Sequence, residues 1–153
     1  MTKRLFTLVF MSIIMLACET IEMKLPDGFA HYSREKDHYK IISSDGVTIK
    51  AYRVEMDEQK ENIDVTLWVK ETGIVLKSKG YVKIKDEEIS GHGGLKGIYS
   101  EYTFLYNGET HIYATTLFAK GDKLYIVESG GQKKYYDKRK EAIMKAIRSL
   151  TVH

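Results

Sequence analysis

Residues 95–131 read LKGIYSEYTFLYNGETHIYATTLFAKGDKLYIVESGG, and they carry the clearest indication of the fold. It contains three segments rich in β-branched and aromatic residues: Leu95–Tyr106, Thr110–Ala119 and Leu124–Glu128. Asn107-Gly108 follows the first segment and Gly121-Asp122 follows the second, and both dipeptides are typical of tight hairpin turns. The stretch therefore predicts a three-stranded antiparallel meander.

Large apolar side chains occur on both alternations of these segments. The odd-numbered set is Tyr99, Leu105, Tyr113, Leu117, Tyr125 and Val127, and the even-numbered set is Ile98, Tyr102, Phe104, Ile112, Phe118, Leu124 and Ile126. Successive side chains of a strand point to opposite faces of the sheet. Because both sets are apolar, we expect both faces of the sheet to be at least partly covered.

More strands are predicted before the meander. Tyr39–Ile42 and Val47–Val54 flank the turn signal Asp45-Gly46, which indicates a hairpin. Tyr81–Lys85 predicts a further strand, whereas the polar segment between Met56 and Asn62 predicts a loop.

Two amphipathic helices are predicted, one before the meander and one after it. The first extends from Asp64 to Gly80 and includes Gly73 in its interior; its apolar residues are Val65, Trp68, Val69, Val75 and Leu76. The second carries the apolar stripe Tyr136, Ile143, Ala146, Ile147 and Leu150 opposite a basic side. These elements together predict an α+β fold, with an antiparallel sheet flanked by helices.

The N-terminus has the pattern of an export signal. Lys3 and Arg4 precede Leu5–Ala17, a run of 13 residues without a charge. Such a run is too short for a membrane-spanning helix, which needs about 20 residues. A cationic start, a short apolar segment and a small residue before a break are typical of a signal peptide, here residues 1–17.

The signal ends in Met15-Leu16-Ala17-Cys18, which resembles the bacterial lipobox. This resemblance implies that Cys18 receives diacylglycerol and becomes the first residue of a lipoprotein. In the sorting pattern of enteric lipoproteins, aspartate after the cysteine favours the inner membrane. Glu19 therefore favours the periplasmic side of the outer membrane, if the host has one. The alternative is a free thiol that happens to follow a signal.

The single cysteine also excludes an internal disulfide. We expect residues 18–36 to form a tether and residues 37–153 to form one domain. The formal net charge of +3 falls to +1 once Lys3 and Arg4 leave with the signal. An exported, nearly neutral protein is not expected to bind nucleic acid, and its basic terminal helix is interpreted as a solvated face or one attracted to anionic headgroups.

No motif in the chain carries an established chemistry. The histidines lack the spacing of a helical metal motif, and we expect no metal or other cofactor. Gly91-His92-Gly93-Gly94 is similar to loops that donate amides to an oxyanion, but no G-x-S-x-G sequence accompanies it. A hydrolase that uses His92 is thus one hypothesis, and the absence of catalysis is the one we favour.

Leu117–Gly131, followed by Tyr136–Leu150, is similar to the C-terminal half of a PsbP-like domain. The resemblance extends over about residues 39–151 and rests on hydrophobic pattern and glycine positions. The fold occurs in oxygen-evolving PsbP proteins, Ran-binding Mog proteins and small bacterial lipoproteins. It implies an α-β-α sandwich, and no family site can be transferred to a residue of this chain.

These features favour a membrane-anchored cell-envelope lipoprotein, with a non-enzymatic domain that binds an envelope protein or another envelope component. Membrane lipid, contacted through acylated Cys18, is then its first partner. The alternative is a module that binds a small ligand or glycan on a tyrosine-rich sheet face. The pocket of such a module is expected between the sheet and the helix around Trp68.

Overall fold

The structure is a computed structural model that describes residues 20–35, 38–56 and 63–153. The predicted signal, Cys18 and most of the predicted loop at 56–62 lie outside these residues. The strands are β1 Ile21–Glu22, β2 Phe29–Glu35, β3 His38–Ser43, β4 Thr48–Glu55, β5 Val82–Ser90, β6 Lys96–Tyr106, β7 Glu109–Lys120, β8 Lys123–Gln132 and β9 Thr151–Val152. The helices are α1 Val65–Ser78 and α2 Lys133–Arg148, and His92–Gly94 forms one 3-10 turn.

The strands β2 to β8 form one antiparallel sheet in the described part of the chain. Its order is β2-β3-β4-β8-β7-β6-β5, so β2 and β5 are the edge strands. The helix α2 packs on one face and α1 on the other. The predicted α+β class and the α-β-α sandwich are confirmed, as are the meander and both helices.

The two sheet faces carry cores of different size. The larger core lies under α2 and contains the fully buried Tyr99, Phe118, Tyr136, Ile143 and Ile147, among others. The smaller core lies under α1 and consists of Val69, Leu117 and Leu124, with Trp68, Ile98 and Ile126 packed against them. Among the described residues, α1 covers only part of its face of the sheet.

The boundaries of α1 follow from local chemistry. The Asp64 carboxylate accepts hydrogen bonds from the amides of Thr66 and Leu67, at 2.9 and 3.3 Å, which satisfies two donors at the helix start. At the other end Gly80 has a φ of 87°, a conformation that glycine adopts without a steric penalty. The amide of Tyr81 then donates to the Leu76 carbonyl, at 3.1 Å, and turns the chain toward β5.

A buried polar network fixes α2 on the sheet. The Tyr136 hydroxyl lies 2.8 Å from Ser129 Oγ and 3.2 Å from the Tyr99 hydroxyl. Tyr99 donates to Glu101, whose carboxylate also receives a bond from Lys140 Nζ, at 2.6 Å. Burial is the main cause of the raised pKa values of Tyr99 and Tyr136. Both phenols therefore remain neutral and can donate hydrogen bonds throughout the physiological range.

Residues 20–35 differ from the predicted tether at 18–36. Ile21 pairs with Val152 in the small β1–β9 sheet, and β2 pairs with β3. Met23 and Phe29 are buried in the larger core. This segment lacks a continuous apolar pattern because β2 is an edge strand, paired on one side only. The folded part begins at least 16 residues earlier than expected.

The register corrects two further expectations. Tyr99 lies opposite Thr116 and Tyr102 lies opposite Tyr113, so odd-numbered residues of β6 share a face with even-numbered residues of β7. Tyr113 and Leu117 therefore do not share the face of Tyr99. In addition, β8 continues beyond Glu128 to Gln132, because its glycines allow close approach of neighbouring strands.

Candidate functional site

A cleft of about 730 Å³ lies between α1 and the β5–β6 edge of the sheet. This volume is within the usual range of small-molecule sites, about 300–1,000 Å³. The lining residues are Thr66, Val69, Lys70, Gly73, Ile74, Lys77, Gly80, Tyr81, Val82, Lys83, Asp86 and Tyr102. We call it the α1–β5 cleft.

Gly73 keeps the cleft open on its helical side. A Cβ atom at this position would lie 3.5 Å from both Lys83 Nζ and the Tyr102 hydroxyl. Glycine inside a helix is destabilising by roughly 0.5–1 kcal/mol relative to alanine. Any side chain longer than alanine would extend into the space in front of Tyr102, so the glycine is compatible with a role in access.

The Tyr102 hydroxyl is a buried polar group at the floor of the cleft. Tyr102 is only 1% exposed, and its oxygen makes no hydrogen bond of good geometry within the described residues. Lys83 Nζ lies 5.6 Å from the centre of its ring. An unsatisfied buried hydroxyl costs about 1–3 kcal/mol, which a ligand with a hydrogen-bonding group would recover.

An ion pair forms the polar end of the cleft. Lys83 Nζ lies 2.9 Å from Asp86 Oδ2, and Ser100 Oγ donates to Asp86 Oδ1 at 2.7 Å. Burial alone would raise the pKa of Asp86 and lower the pKa of Lys83, but hydrogen bonds and neighbouring charges outweigh this effect. The hydrogen bonds from Lys83 and Ser100 lower the pKa of Asp86, and Asp86 and Tyr102 together raise the pKa of Lys83. Both groups are charged at neutral pH.

The rest of the cleft is apolar. Val69 and Tyr81 form parts of its walls, and Ile74 and Val82 at its rim are 55% and 62% exposed. Large aliphatic side chains with this exposure, grouped around a concave site, are typical of a binding surface. The arrangement thus accommodates an apolar body and presents a cation, a carboxylate and a hydroxyl at one end.

A second polar cluster lies on the part of the sheet that α1 leaves uncovered. Glu128 Oε1 accepts hydrogen bonds from the hydroxyls of Tyr113, at 2.8 Å, and Tyr52, at 3.2 Å. The His38 ring stacks on Tyr52 at 6.0 Å, and Lys50 Nζ lies 4.6 Å from the centre of the Tyr52 ring. We call these residues the Glu128 cluster.

We expect the Glu128 cluster to make the stability of the protein depend on pH in the alkaline range. Burial, followed by the charge and hydrogen bond of Glu128, raises the pKa of Tyr52 to about 12. The Tyr52 hydroxyl therefore stays protonated in the folded state at pH values above 10, the usual pKa of a tyrosine being about 10. The stabilising contribution of neutral Tyr52 is complete below about pH 10 and is lost as the pH rises to about 12.

Replacing Glu128 with glutamine should therefore lower the pKa of Tyr52 and leave it above 10, because burial remains. Tyrosinate absorbance in a pH titration measures this shift, with Tyr52→Phe identifying the signal. A pKa of Tyr52 that is unchanged in Glu128→Gln would contradict the assigned role of the carboxylate.

The sequence predicted that a pocket lies beside α1, but it placed that pocket on the wrong side of the helix. Trp68, expected at the pocket, packs in the smaller core instead and does not line the cleft. Tyr102, Lys83 and Asp86 were not predicted as site residues. The tyrosines are divided: five are buried, Tyr52, Tyr81, Tyr113 and Tyr135 are half-buried, and Tyr32 and Tyr106 are exposed.

The His92 loop lies at a different place, near the C-terminal end of α2. The backbone amide of His92 donates a hydrogen bond to the Leu150 carbonyl, at 3.1 Å. Across residues 20–35, 38–56 and 63–153, no serine or carboxylate forms a hydrogen bond or ion pair with the His92 ring. Ser149 and His92 border one surface depression, and the Ser149 hydroxyl donates to the Ala146 carbonyl. The geometry gives no support to a nucleophile activated by His92.

Two further features bear on the kind of site. In the described ranges, no group of three or more His, Cys, Asp or Glu side chains is placed to hold a metal ion. Neither of the two described helices has the length and apolar composition required to cross a membrane.

No protein-family model and no curated protein matches the chain. Solved structures do resemble it. LpqN of Mycobacterium tuberculosis, described as involved in cell envelope biogenesis, has a TM-score of 0.67 at 14% identity, covering 88% of this chain and 83% of its own. The cyanobacterial PsbP of Synechocystis has a TM-score of 0.60 at 14% identity, with coverages of 87% and 86%.

A Pseudomonas aeruginosa protein of unknown function has a TM-score of 0.59 at 12% identity, with coverages of 86% and 96%. At these identities the similarities show the fold alone. The PsbP-like fold expected from the sequence is thereby confirmed.

Proposed function

We propose that this chain is a lipid-anchored protein of the cell envelope that binds a small molecule in the α1–β5 cleft without transforming it. The lipobox-like Met15–Cys18 sequence supports the anchor, and Glu19 favours the outer membrane in a diderm host. The envelope role described for LpqN, which has the same fold, is consistent with this location.

The observation that carries the proposal is the Tyr102 hydroxyl, which lies at the floor of an open cleft without a hydrogen bond of good geometry to any described residue and has the Lys83 ammonium as its polar neighbour. The Tyr102 oxygen is shielded from solvent and the ammonium of Lys83 lies beside it, so this hydroxyl can donate to a ligand oxygen once the Lys83 side chain moves aside. The walls are apolar. The expected ligand has an apolar body and one polar group that accepts hydrogen bonds.

This cleft favours a small ligand over an envelope protein as the occupant. A protein-binding module needs no concave site with an unsatisfied hydroxyl, whereas a small-molecule site is concave and carries a few convergent polar groups. The Glu128 cluster is a second candidate, for a glycan. Glu128 Oε1 accepts hydrogen bonds from the hydroxyls of Tyr52 and Tyr113, and aromatic rings such as those beside it are the surfaces on which sugars pack.

The test uses anilinonaphthalene sulfonate, a fluorescent probe with an apolar body and an anionic acceptor group. Gly73→Leu should fill the cleft and weaken probe binding by about tenfold or more, since most of the apolar contact is lost. Tyr102→Phe should weaken it by about fivefold through loss of one hydrogen bond. The control is Val75→Leu, which enlarges an exposed side chain on the same helix outside the cleft.

The native ligand is sought by denaturing protein purified from the membranes of its own cells and analysing the released small molecules by mass spectrometry. We expect a molecule that accompanies the wild type and Val75→Leu but not Gly73→Leu. Equal probe binding by all variants would refute the cleft as the site. Loss of the molecule in Tyr52→Ala, with retention in Gly73→Leu, would move the site to the Glu128 cluster.

A further inference from the structure

The folded domain begins almost directly at the proposed anchor, and this inference rests on the proposed lipidation of Cys18. Thr20 already belongs to the domain, because its carbonyl accepts a hydrogen bond from the His153 amide, at 3.4 Å, and Ile21 pairs with Val152. Two residues of extended chain span at most about 7 Å. A lipid on Cys18 therefore holds this end of the domain at the bilayer surface.

Cationic side chains gather around the same end. Lys120 Nζ donates to the Val152 carbonyl, at 3.2 Å, directly beside the β1–β9 pair. Lys24 follows β1, and its amide donates to Ser149 Oγ at 2.8 Å. Lys145 and Arg148, from the last turn of α2, border a depression of about 620 Å³ together with Lys24. All four cationic side chains belong to exposed residues.

Carboxylates also lie at this end, where Asp27 and Glu87 act electrostatically on Lys145 and Arg148. Glu22 borders the depression, and Glu141 pairs with Lys145 at 2.9 Å. His92 also borders it. We call Lys24, Lys120, Lys145 and Arg148 the anchor-side surface. Its long, exposed lysine and arginine side chains lie beside the proposed anchor, and an anionic membrane attracts such side chains close to its surface.

We propose that the anchor-side surface lies on the bilayer and binds the phosphates of anionic lipid headgroups. The lipid supplies attachment, and the four cations fix the orientation of the domain. A single acyl-linked residue would otherwise leave the domain free to rotate about its attachment point.

This orientation places the α1–β5 cleft away from the bilayer. The strand β6 starts at the anchor side with Lys96 and ends at Tyr106; its 11 residues span about 35 Å. Gly80 and Val82 lie toward the far end, because Val82 pairs with Thr103, near the end of β6. The ligand of the cleft therefore enters from the aqueous phase, and the exposed Leu105 and Tyr106 lie at the tip farthest from the membrane.

The experiment measures lysine acetylation, site by site, on the lipidated full-length protein in vesicles. One set of vesicles contains phosphatidylglycerol and the other only phosphatidylcholine, and flotation establishes attachment in both. With phosphatidylglycerol, Lys24, Lys120 and Lys145 should be acetylated about fivefold more slowly, and high salt should reverse the effect. The internal control is Lys134, an exposed lysine in the first turn of α2 at the opposite end.

A Lys120→Glu, Lys145→Glu double variant should still float but lose the protection of Lys24. Protein that floats while all its lysines react equally in both vesicles would overturn the proposed orientation and leave the anchor intact. Protein that does not float at all would overturn the anchor and, with it, the orientation. The two failures are therefore distinguishable.

Discussion

Replacing Cys18 with alanine is expected to abolish incorporation of labelled palmitate and to release the protein from the membrane fraction. Cys18 is the only cysteine, so no other thiol can receive the diacylglycerol. Each buried methylene contributes about 0.8 kcal/mol to membrane binding, and the acyl chains on Cys18 supply this contribution. Loss of the Cys18 thiol thus removes the anchor completely, and we expect no labelling of the variant rather than reduced labelling.

A matched control lies within the signal itself. Ser12→Ala changes a small polar residue of the apolar run and leaves Met15–Cys18 intact, so labelling should equal that of the wild type. Gel electrophoresis of palmitate-fed cells, with an antibody to measure protein amount, compares the three forms. Equal labelling of Cys18→Ala and wild type would refute the lipoprotein assignment.

The parts of the fold that the sequence predicts well are those with local chemical signals. Asp64 supplies a cap at the start of α1, and Gly80 allows the left-handed conformation at its end. Asn107 and Gly108 both have positive φ values, as the tight turn between β6 and β7 requires. Each of these residues acts within a few positions of itself, so its effect can be inferred without knowing the rest of the structure.

The parts that escape prediction depend on pairing between distant segments. Phe29–Glu35 has a polar composition and becomes a strand because β3 supplies its hydrogen-bond partners. The faces of β7 follow from its register with β6, which relates residues whose numbers differ in parity. A shift of one residue in register would exchange the two faces, and composition alone does not exclude it.

The candidate site illustrates the same division. Tyr102, Lys83 and Gly73 come from β6, β5 and α1, and only the packing of α1 on the sheet brings them together. One signal was available in the sequence: Gly73 interrupts an otherwise regular helix at a cost in stability. A glycine inside a helix, without a turn nearby, indicates that another group approaches closely or that space is needed.

Replacing Gly97 with valine is expected to prevent stable folding or to lower the free energy of unfolding by about 3 kcal/mol or more. Gly97 is buried in β6, where it pairs with Phe118. A Cβ here would lie 2.4 Å from Phe118 Cδ1 and 2.5 Å from the Leu117 carbonyl oxygen. A rotation of Phe118 can relieve the first contact, but the second involves the backbone of β7, so the strands must separate.

Gly97→Ala and Gly73→Ala add the same methyl group in two environments. The first variant measures the cost of a steric clash, and the second measures the gain from a lower chain entropy of the unfolded state. Gly97→Ala should lower the free energy of unfolding by about 1–3 kcal/mol, because even one methyl group meets the Leu117 carbonyl oxygen. Gly73→Ala should raise it by about 0.5–1 kcal/mol, since its Cβ has ordinary contacts of 3.5 Å and alanine favours a helix. Urea denaturation measures both changes. Equal stability of Gly97→Ala and the wild type would mean that β6 and β7 are not packed as closely as the structure has them. The β6–β7 register, which places Tyr113 on the face of Tyr102 and not on that of Tyr99, would then be in question.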